Sequence, residues 1–269
     1  MNYAISTLMF KIEDMEKWFD YTASSGTSLE IFPLWHDERF EEFLESNFEK
    51  IKNLTFSFHE PYFFTDHSFG IGTKEHEEAL LLCEKTFQWA EKLGAKHMVF
   101  HHNNRKVSTA VKEDMIKAGN ESLKALNEMA SRYHIPVLVE NCGVTARGNM
   151  LLNEEEFVAL FQTIPNDCLF DIGHAHANGW NIPGVIKALK DKIVAYHIND
   201  NDGSDDQHRL MGSGNLDFQA YMKAVKEFTP TAAIIFEHSD DVAISVNDMK
   251  RQVENFKKLT GVIEEQFSA

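Results

Sequence analysis

The chain has 269 residues, 43% of them hydrophobic and 12% aromatic, so it is long and apolar enough to bury a large core. Acidic residues outnumber basic ones by 42 to 26, and the formal net charge of -16 opposes binding to the phosphates of nucleic acid. This length is typical of one α/β barrel, and we expect residues 1–269 to form a single domain.

The cysteines and the first residues of the chain indicate a cytoplasmic protein. Cys83, Cys142 and Cys168 are an odd, widely spaced set without a CxxC pair, which fits a reducing compartment. The N-terminal segment MNYAISTLMFKIEDMEKWFD lacks the basic region and apolar core of a signal peptide. No apolar run reaches the length of a membrane span, so we expect no membrane partner.

Short apolar runs alternate with amphipathic stretches along the chain, a rhythm typical of a parallel sheet covered by helices. Eight runs predict strands buried on both faces: 3–8, 28–32, 55–59, 96–101, 136–141, 168–172, 193–198 and 232–238. Between them, residues 76–94 and 111–134 carry apolar residues at three- and four-residue spacing and predict helices. Eight right-handed crossovers favour a closed (β/α)8 TIM barrel, and an open doubly wound sheet is the alternative.

Acids and histidines lie at the C-terminal ends of seven predicted strands. They are Glu30, His59, His101, Glu140, Asp171, His197 and Glu237. In a parallel barrel all these strand ends meet at one face, where barrel active sites are built. Charged groups closing buried strands cost desolvation energy unless they are paired or bind a metal. Few lysines or arginines lie near these ends, so a cation is the simplest neutraliser.

We therefore predict a divalent metal site, ligated chiefly by Glu140, Asp171, His197 and Glu237. Carboxylate and imidazole ligands suit Mn²⁺, Zn²⁺, Co²⁺ or Mg²⁺, and the residue types do not choose among these ions. Such an ion polarises a substrate carbonyl or lowers the pKa of a bound water, so both sugar chemistry and hydrolysis are accessible. We expect no organic cofactor. Taken singly, each acid or histidine also has a structural interpretation as a helix cap or a hydrogen-bonded core residue.

Loops at the same face supply candidates for substrate binding. Four aromatic residues there can wall a sugar pocket, or simply pack against the barrel rim: Trp35, Phe63, Phe64 and Trp180. The longest predicted loop, 199–215, follows the seventh strand. We expect Asp206, His208 and Arg209 in this loop to fold back over the site, because so long a polar loop needs contacts to stay ordered.

Motifs along nearly the whole chain resemble those of the xylose isomerase-like barrels. This superfamily includes sugar isomerases and epimerases and the endonuclease IV type of nuclease, AP endonuclease family 2. The motifs are FHEPY (His59), VFHHN (His101), LVENCG (Glu140), FDIGHAHANGW (Asp171, His174), AYHIND (His197), DDQHRLMGSG (Asp206, His208, Arg209) and IIFEHS (Glu237). The combination of DIGHAHANG with HIND at the next strand is the specific part, since each motif alone is weak.

The resemblance to epimerases implies one divalent ion, a sugar or sugar phosphate as substrate, and substrate contacts from His174 and Arg209. Its metal ligands would be Glu140, Asp171, His197 and Glu237. The two glutamates would also be the catalytic acid and base. Moving a proton next to a carbonyl needs a base on one face and, for epimerisation, an acid on the other.

The resemblance to nucleases implies three metal ions that clamp the attacking and leaving oxygens of a phosphodiester. The nine ligands would be His59, His101, Glu140, Asp171, His174, His197, Asp206, His208 and Glu237. Basic loops that would contact DNA are missing, because the corresponding segments read FPLWHDERFEEF and EPYFFTDHSFG. A metal-dependent sugar isomerase or epimerase is therefore favoured. A metal-dependent phosphoesterase and a non-catalytic small-molecule-binding barrel are the alternatives, and an oligomer is compatible with each.

Overall fold

Eight parallel strands form a closed barrel in the computed structural model, which describes residues 2–63, 65–239 and 244–268. The strands are β1 (Tyr3–Ser6), β2 (Ser28–Ile31), β3 (Thr55–His59), β4 (Met98–Phe100), β5 (Val137–Glu140), β6 (Asp167–Asp171), β7 (Ile193–Ile198) and β8 (Ala233–Phe236). Each strand pairs with the next, and β8 pairs with β1 to close the sheet. The predicted (β/α)8 TIM barrel is therefore confirmed.

Helices follow the strands and cover the outside of the barrel. They are α1 (Met15–Ser25), α2 (Arg39–Ser46), α3 (Phe48–Ile51), α4 (Lys74–Leu93), α5 (Lys112–Tyr133), α6 (Glu154–Leu160), α7 (Ile172–Ala177), α8 (Ile182–Ala188), α9 (Phe218–Phe228) and α10 (Val246–Ser268). The helices predicted at 76–94 and 111–134 are α4 and α5. Within the described residues, no helix has both the length and the apolar character needed to cross a membrane.

The ends of α4 illustrate how local sequence sets the helix bounds. The hydroxyl of Thr73 accepts a hydrogen bond from the backbone N–H of His76 at 3.3 Å, which satisfies an amide of the first turn. At the other end Gly94 has φ 71°, a left-handed conformation that glycine adopts without steric cost. The helix therefore stops there and the chain turns back into β4.

Inside the barrel, a small apolar cluster lies beneath a layer of polar side chains. The apolar residues are Ala4, Val99, Leu138, Leu169, Ala195, Ala233 and Ile235. Polar residues stand two positions further along the same strands or just past their ends: Ser6, His101, Glu140, Asp171, His197 and Glu237. Because side chains along a strand alternate with a period of two, both layers point into the barrel. The apolar cluster thus closes the floor of the polar site.

Candidate metal centre

The central cluster consists of Glu140, Asp171, His197 and Glu237, and it has the composition predicted from the sequence. One ligand atom of each residue lies within 4.8 Å of the others, and all four side chains are buried. Nδ1 of His197 lies 3.4 Å from Oε1 of Glu140 and 3.3 Å from Oε2 of Glu237. The same nitrogen is 3.9 Å from Oδ2 of Asp171. The barrel therefore brings together four groups that stand almost a hundred residues apart in the chain.

A side cluster of His59, His101 and Glu140 adjoins the central one. Oε2 of Glu140 lies 2.9 Å from Nε2 of His101 and 3.7 Å from Nε2 of His59. The other carboxylate oxygen of Glu140 faces His197 in the central cluster. Glu140 is therefore shared between two potential cation positions.

A loop cluster of His174, Asp206 and His208 also adjoins the central cluster. Nε2 of His208 is 2.9 Å from Oδ1 of Asp206, and Nε2 of His174 is 3.4 Å from Oδ2 of Asp206. Nδ1 of His174 lies 3.3 Å from Oε1 of Glu140, so this ring connects the loop cluster to the central one. All nine candidate ligands thus assemble at one face of the barrel.

Four of the five cluster histidines have one ring nitrogen held by a group outside the clusters or by backbone. The contacts are His59 Nδ1 with the Glu60 carbonyl (2.9 Å), His101 Nδ1 with Asn104 Oδ1 (3.0 Å), His197 Nε2 with Glu30 Oε1 (2.7 Å) and His208 Nδ1 with the Glu237 carbonyl (3.3 Å). Such partners fix the tautomer and the direction of the other nitrogen. The second nitrogen of each ring faces a cluster carboxylate.

Two buried groups at strand ends, Glu30 and Ser6, support the clusters. Glu30 is fully buried, and its second oxygen accepts a hydrogen bond from the Ser57 hydroxyl at 2.8 Å. The Ser6 hydroxyl donates to Oε1 of Glu237 at 3.3 Å. The sequence pattern marked Glu30 as a strand-end acid without a role and missed Ser6, although Ser6 ends β1 at the position equivalent to the other polar residues.

The donor set fits a divalent metal ion. Among the residues of the three clusters, three buried side-chain atoms have no hydrogen-bond partner among the described groups: Nδ1 of His174, Nδ1 of His197 and Oδ1 of Asp206. Each of these atoms points toward carboxylates or imidazoles of the clusters, and each is a usual ligand of divalent ions. Buried polar atoms are rarely left without a partner, so an ion in the central cluster would satisfy Nδ1 of His197.

The charges of the clusters depend strongly on one another. Burial opposes a positive charge on His59 and His101, but the nearby Glu140 outweighs it and raises the pKa of each imidazole to about 9. Although burial disfavours the carboxylate of Glu140, His197 and His101 hold its pKa well below the usual range. Burial, assisted by Glu140, raises the pKa of Glu237. The carboxylates of the site therefore favour protonated imidazoles. A cation binds only the neutral imidazole, so it would have to displace these protons.

A cavity of about 210 Å³ opens above the side and loop clusters. One wall is aromatic: Phe32, Tyr62 and Phe63 line it, and Phe32 stacks on His59 with 4.6 Å between ring centroids. The opposite side offers polar groups, among them Asn103. Apolar lining combined with a few polar groups is typical of a pocket for a small molecule.

Of the predicted aromatic wall, the structure places Phe63 at the cavity and packs two others elsewhere. Trp35 donates its indole N–H to the Thr86 hydroxyl at 2.8 Å and packs against Phe40, in the helical layer. Trp180 packs against the buried rings of Phe157 and Phe170. Phe64 lies outside the described residues. The sequence interpretation missed Phe32 and Tyr62, although Phe32 directly follows β2 and Tyr62 belongs to FHEPY.

The guanidinium that lines this cavity belongs to Arg147, whereas Arg209 lines an adjoining pocket that shares Arg147, Asp206 and His208. Arg209 pairs its backbone with Asp200 and directs its side chain toward Asp202, with 3.6 Å between Nη1 and Oδ2. Arg147 lines the cavity and lies 3.1 Å from Oδ2 of Asp206. The sequence offered no signal for Arg147, because it stands in a short 3-10 turn beyond β5 and belongs to no motif.

The loop after β7 folds back over the site through Asp206 and His208, as the sequence predicts. Its base is held by Asp200, whose Oδ2 accepts the backbone N–H groups of Gly212 at 2.8 Å and Gly214 at 2.9 Å. A Cβ on Gly214 would collide with the carbonyl of Asn201, so the loop needs glycine at this close approach. The segment MGSG therefore shapes the loop that carries two candidate ligands.

The family model described as "Xylose isomerase-like TIM barrel" matches residues 12–259. The chain belongs to this family. The matched range contains every residue of the three clusters, so the resemblance seen in the motifs is confirmed.

The chain is similar in sequence or in fold to proteins whose names include an isomerase and an epimerase-like protein. Inosose isomerase of Bacillus subtilis is 26% identical over 166 residues, which cover 57% of this chain and 58% of that protein. A D-tagatose 3-epimerase-like protein superposes with a TM-score of 0.80 at 18% identity, covering 99% of this chain and 100% of that one. The IOLI protein with a zinc atom gives a TM-score of 0.74 at 18% identity over 97% and 96%.

These similarities establish the fold and the family of the chain. At 18% identity the two solved structures establish a shared fold. The chain matches between 49% and 64% of the length of the first curated relatives. Activity and substrate therefore rest on the geometry of the site in this chain.

Proposed function

We propose that the chain is a metal-dependent isomerase or epimerase that moves a proton next to the carbonyl of a small sugar or sugar phosphate. The observation that carries this proposal is the placement of Glu140 and Glu237. They end β5 and follow β8, strands that lie on different sides of the closed barrel, yet both carboxylates contact Nδ1 of His197. Two carboxylates that flank one position are what proton transfer on two faces of a carbon requires.

The two glutamates differ in their readiness to hold a proton. Glu140, whose pKa is lowered by its histidine neighbours, is the base that removes a proton from the carbon next to the carbonyl. Glu237, whose pKa is raised by burial and by Glu140, delivers a proton to the other face or to the adjacent oxygen. A pair of carboxyl groups whose pKa values are pushed apart is a common arrangement for an acid and a base.

The metal ligands in this proposal are Glu140, Asp171, His197 and Glu237. A divalent ion bound there polarises the substrate carbonyl and so makes the neighbouring C–H more acidic. Zn²⁺, Mn²⁺, Co²⁺ and Mg²⁺ are all compatible with two glutamates, one aspartate and one histidine. The zinc atom in the IOLI structure supports this class of ion.

Substrate recognition falls to the walls of the cavity. The rings of Phe32, Tyr62 and Phe63 pack against the C–H face of a sugar and exclude water from the reacting carbon. Among the described residues, only cluster carboxylates pair with the ring of His174, so this ring is suited to hydrogen-bonding a substrate oxygen. The names of the relatives, an inosose isomerase and a D-tagatose 3-epimerase-like protein, support a polyhydroxylated ketone as substrate.

A second candidate, a multinuclear phosphoesterase of the endonuclease IV type, is favoured by one specific observation. The nine residues whose types match that pattern form three adjacent clusters, each able to surround one ion. The net charge of -16 and the acidic segment after β2 oppose a nucleic-acid substrate. We therefore keep it as the alternative. A non-catalytic sugar-binding barrel is the third.

The deciding experiment combines metal counting with solvent exchange. Purified protein loaded with Mn²⁺ or Zn²⁺ is incubated with a panel of ketoses and inososes in deuterated water, and deuterium at the carbon next to the carbonyl is measured by NMR. We expect exchange that is strongly reduced in Glu140→Gln, because Glu140 is the base that removes the proton. Cleavage of a duplex with an abasic site, together with three ions per chain and no exchange, would establish the phosphoesterase. Absence of both activities with retained sugar binding would establish the binding barrel.

A further inference from the structure

The loop cluster differs from the other two clusters in having a guanidinium on its carboxylate. Nη1 of Arg147 lies 3.1 Å from Oδ2 of Asp206, and Nη2 of Arg147 donates to the backbone carbonyl of Asp206. Nε of the same side chain lies 2.8 Å from Oδ1 of Asp205. Arg147 therefore holds the loop after β7 by three contacts and places a fixed positive charge beside the single carboxylate of the loop cluster.

The carboxylates of the other clusters have partners of a different kind. The ion pairs described for Glu140, Asp171 and Glu237 are all made with histidines. A protonated histidine releases its proton when a metal ion arrives and then becomes a ligand itself. Arginine keeps its charge at any pH a folded protein tolerates, and it never becomes a ligand.

An ion in the loop cluster would bind the carboxylate that Arg147 already contacts. It would have to share the oxygen atoms of Asp206 with the guanidinium and stand close to a second fixed positive charge. Asp206 is buried and Arg147 is partly exposed, so water and salt screen this repulsion only in part. Binding there is therefore disfavoured as long as Arg147 stays in place, whereas the central and side clusters carry no such charge among the described residues.

We propose that Arg147 is the resident cation of the loop cluster, so that the chain holds divalent ions at the central and side clusters only. The loop cluster then serves as a hydrogen-bonding wall, in which Arg147 and His174 offer N–H groups to substrate oxygens. This second role rests on the proposed function, whereas the exclusion of the ion does not. A site with this composition has the nine ligand types of a trinuclear centre but the cation capacity of a smaller one.

The test is the number of Zn²⁺ ions bound per chain, measured by elemental analysis after gel filtration and by calorimetric titration with Zn²⁺ alone. We expect at most two ions in the wild-type protein. Arg147→Gln removes the charge but keeps a side chain that can hydrogen-bond, and it should gain one further ion, bound at least about tenfold more tightly than any third ion in the wild type. His208→Ala added to Arg147→Gln should abolish that extra ion.

Arg147→Lys is the matched control, because it keeps the charge and should retain the wild-type number of ions. Three ions in the wild-type protein, one of them lost in His208→Ala, would overturn the proposal without any need for the Arg147 variants. A folded Arg147→Gln protein that gains no ion would overturn it as well. Because the counting needs no substrate, failure of the proposed sugar chemistry would leave this result intact and would be recognised separately by solvent exchange.

Discussion

The central cluster and the loop cluster both bring polar side chains together, but the fold holds the residues of the two clusters in place to different degrees. The central residues stand at strand ends of a closed barrel, where backbone pairing fixes each Cα. Two of the three loop-cluster residues, Asp206 and His208, lie in the connection between β7 and α9, and His208 has φ 44°. A non-glycine residue with positive φ persists only where its surroundings hold it. The difference indicates a rigid reaction centre beside a wall that a single loop can reshape.

The supports of the two clusters also differ in chemistry. His197 in the central cluster is backed by the buried carboxylate of Glu30, and Asp171 accepts hydrogen bonds from the His174 backbone and the Asn199 amide. The loop cluster depends on Arg147, whose side chain is 46% exposed. Partly exposed ion pairs contribute little to stability, so the loop cluster is the part of the site that ligands can reorganise.

The largest expected effect is on catalysis, which should depend on the central cluster much more than on the loop cluster. Glu140→Gln removes the proposed base and should reduce solvent exchange into the substrate by about a hundredfold or more, which is the usual contribution of a positioned acid or base. Asp206→Asn in the loop cluster should cost much less, because Asp206 moves no proton in our proposal. Circular dichroism should show both variants folded. Equal losses in the two variants would contradict the division of roles.

The next effect tests the support of the central cluster. Glu30→Gln keeps the shape of the side chain but weakens its hold on Nε2 of His197, and it should lower Zn²⁺ affinity by about 10-fold to 100-fold, as removal of such outer partners usually does. Glu60→Gln is the matched control for the central cluster, since Glu60 is an equally buried glutamate that pairs with His67 at 3.1 Å and lies near Asn104, a partner of the side cluster only. Similar losses from both substitutions would mean that Glu30 acts through general stability and not through His197.

The sequence predicted the central cluster because topology leaves little freedom there. Parallel strands closing a barrel, together with the period-two alternation of side chains, fix where a residue such as Glu140 must point. The contact between Glu30 and His197 was not predictable from the pattern, because it depends on the tilt of strands across the barrel. Neighbours along the chain gave no sign that Arg147 and not Arg209 reaches the cavity.

The positions of aromatic residues in loops were also not predictable from the sequence pattern. Trp35 and Phe63 both follow strands and both match the pattern of a pocket wall, yet one ring packs among helices and the other faces the cavity. Loop conformation decides which way each points, and it is set by contacts far apart in the sequence, such as that of Trp35 with Thr86. A strand-end rule therefore predicts the ligands better than the walls.

Measurements over a range of pH test whether protons and metal ions compete for the clusters. For His59, His101 and His208 the pKa rises from 6.5 to about 9 in the folded chain, against the opposing effect of burial. Their contribution to the free energy of unfolding is complete below the unfolded pKa of about 6.5 and is lost as the pH rises through about 9. Without metal, stability should therefore fall across this window. Metal affinity should rise across it, by about tenfold per pH unit for each proton displaced.

The measurement is thermal unfolding in a chelating buffer from pH 6.5 to 9, beside the dissociation constant of Zn²⁺ from chelator competition over the same range. His59→Ala is the control, since it removes one of the three titrating histidines. It should reduce the pH dependence of both the melting temperature and the Zn²⁺ dissociation constant. Stability that rises with pH in the chelating buffer would show that carboxylates, and not these histidines, dominate the titration.

The smallest expected effect concerns the cavity wall and returns to the two aromatic residues that looked alike in the sequence. Phe63 is 39% exposed and lines the cavity, so Phe63→Ala should remove one apolar contact with the substrate. A contact of about 1 kcal/mol corresponds to about a fivefold rise in KM, with kcat little changed because the ring touches no reacting atom. Trp35→Ala should do the opposite: it removes a ring packed on Phe40 and should lower the melting temperature while leaving KM unchanged. Steady-state kinetics and thermal unfolding of the two variants decide the matter, and a rise in KM for Trp35→Ala would place that ring at the pocket after all. The pair also bears on the comparison of the clusters, because Phe63 packs against Phe32 and Phe32 stacks on His59 of the side cluster.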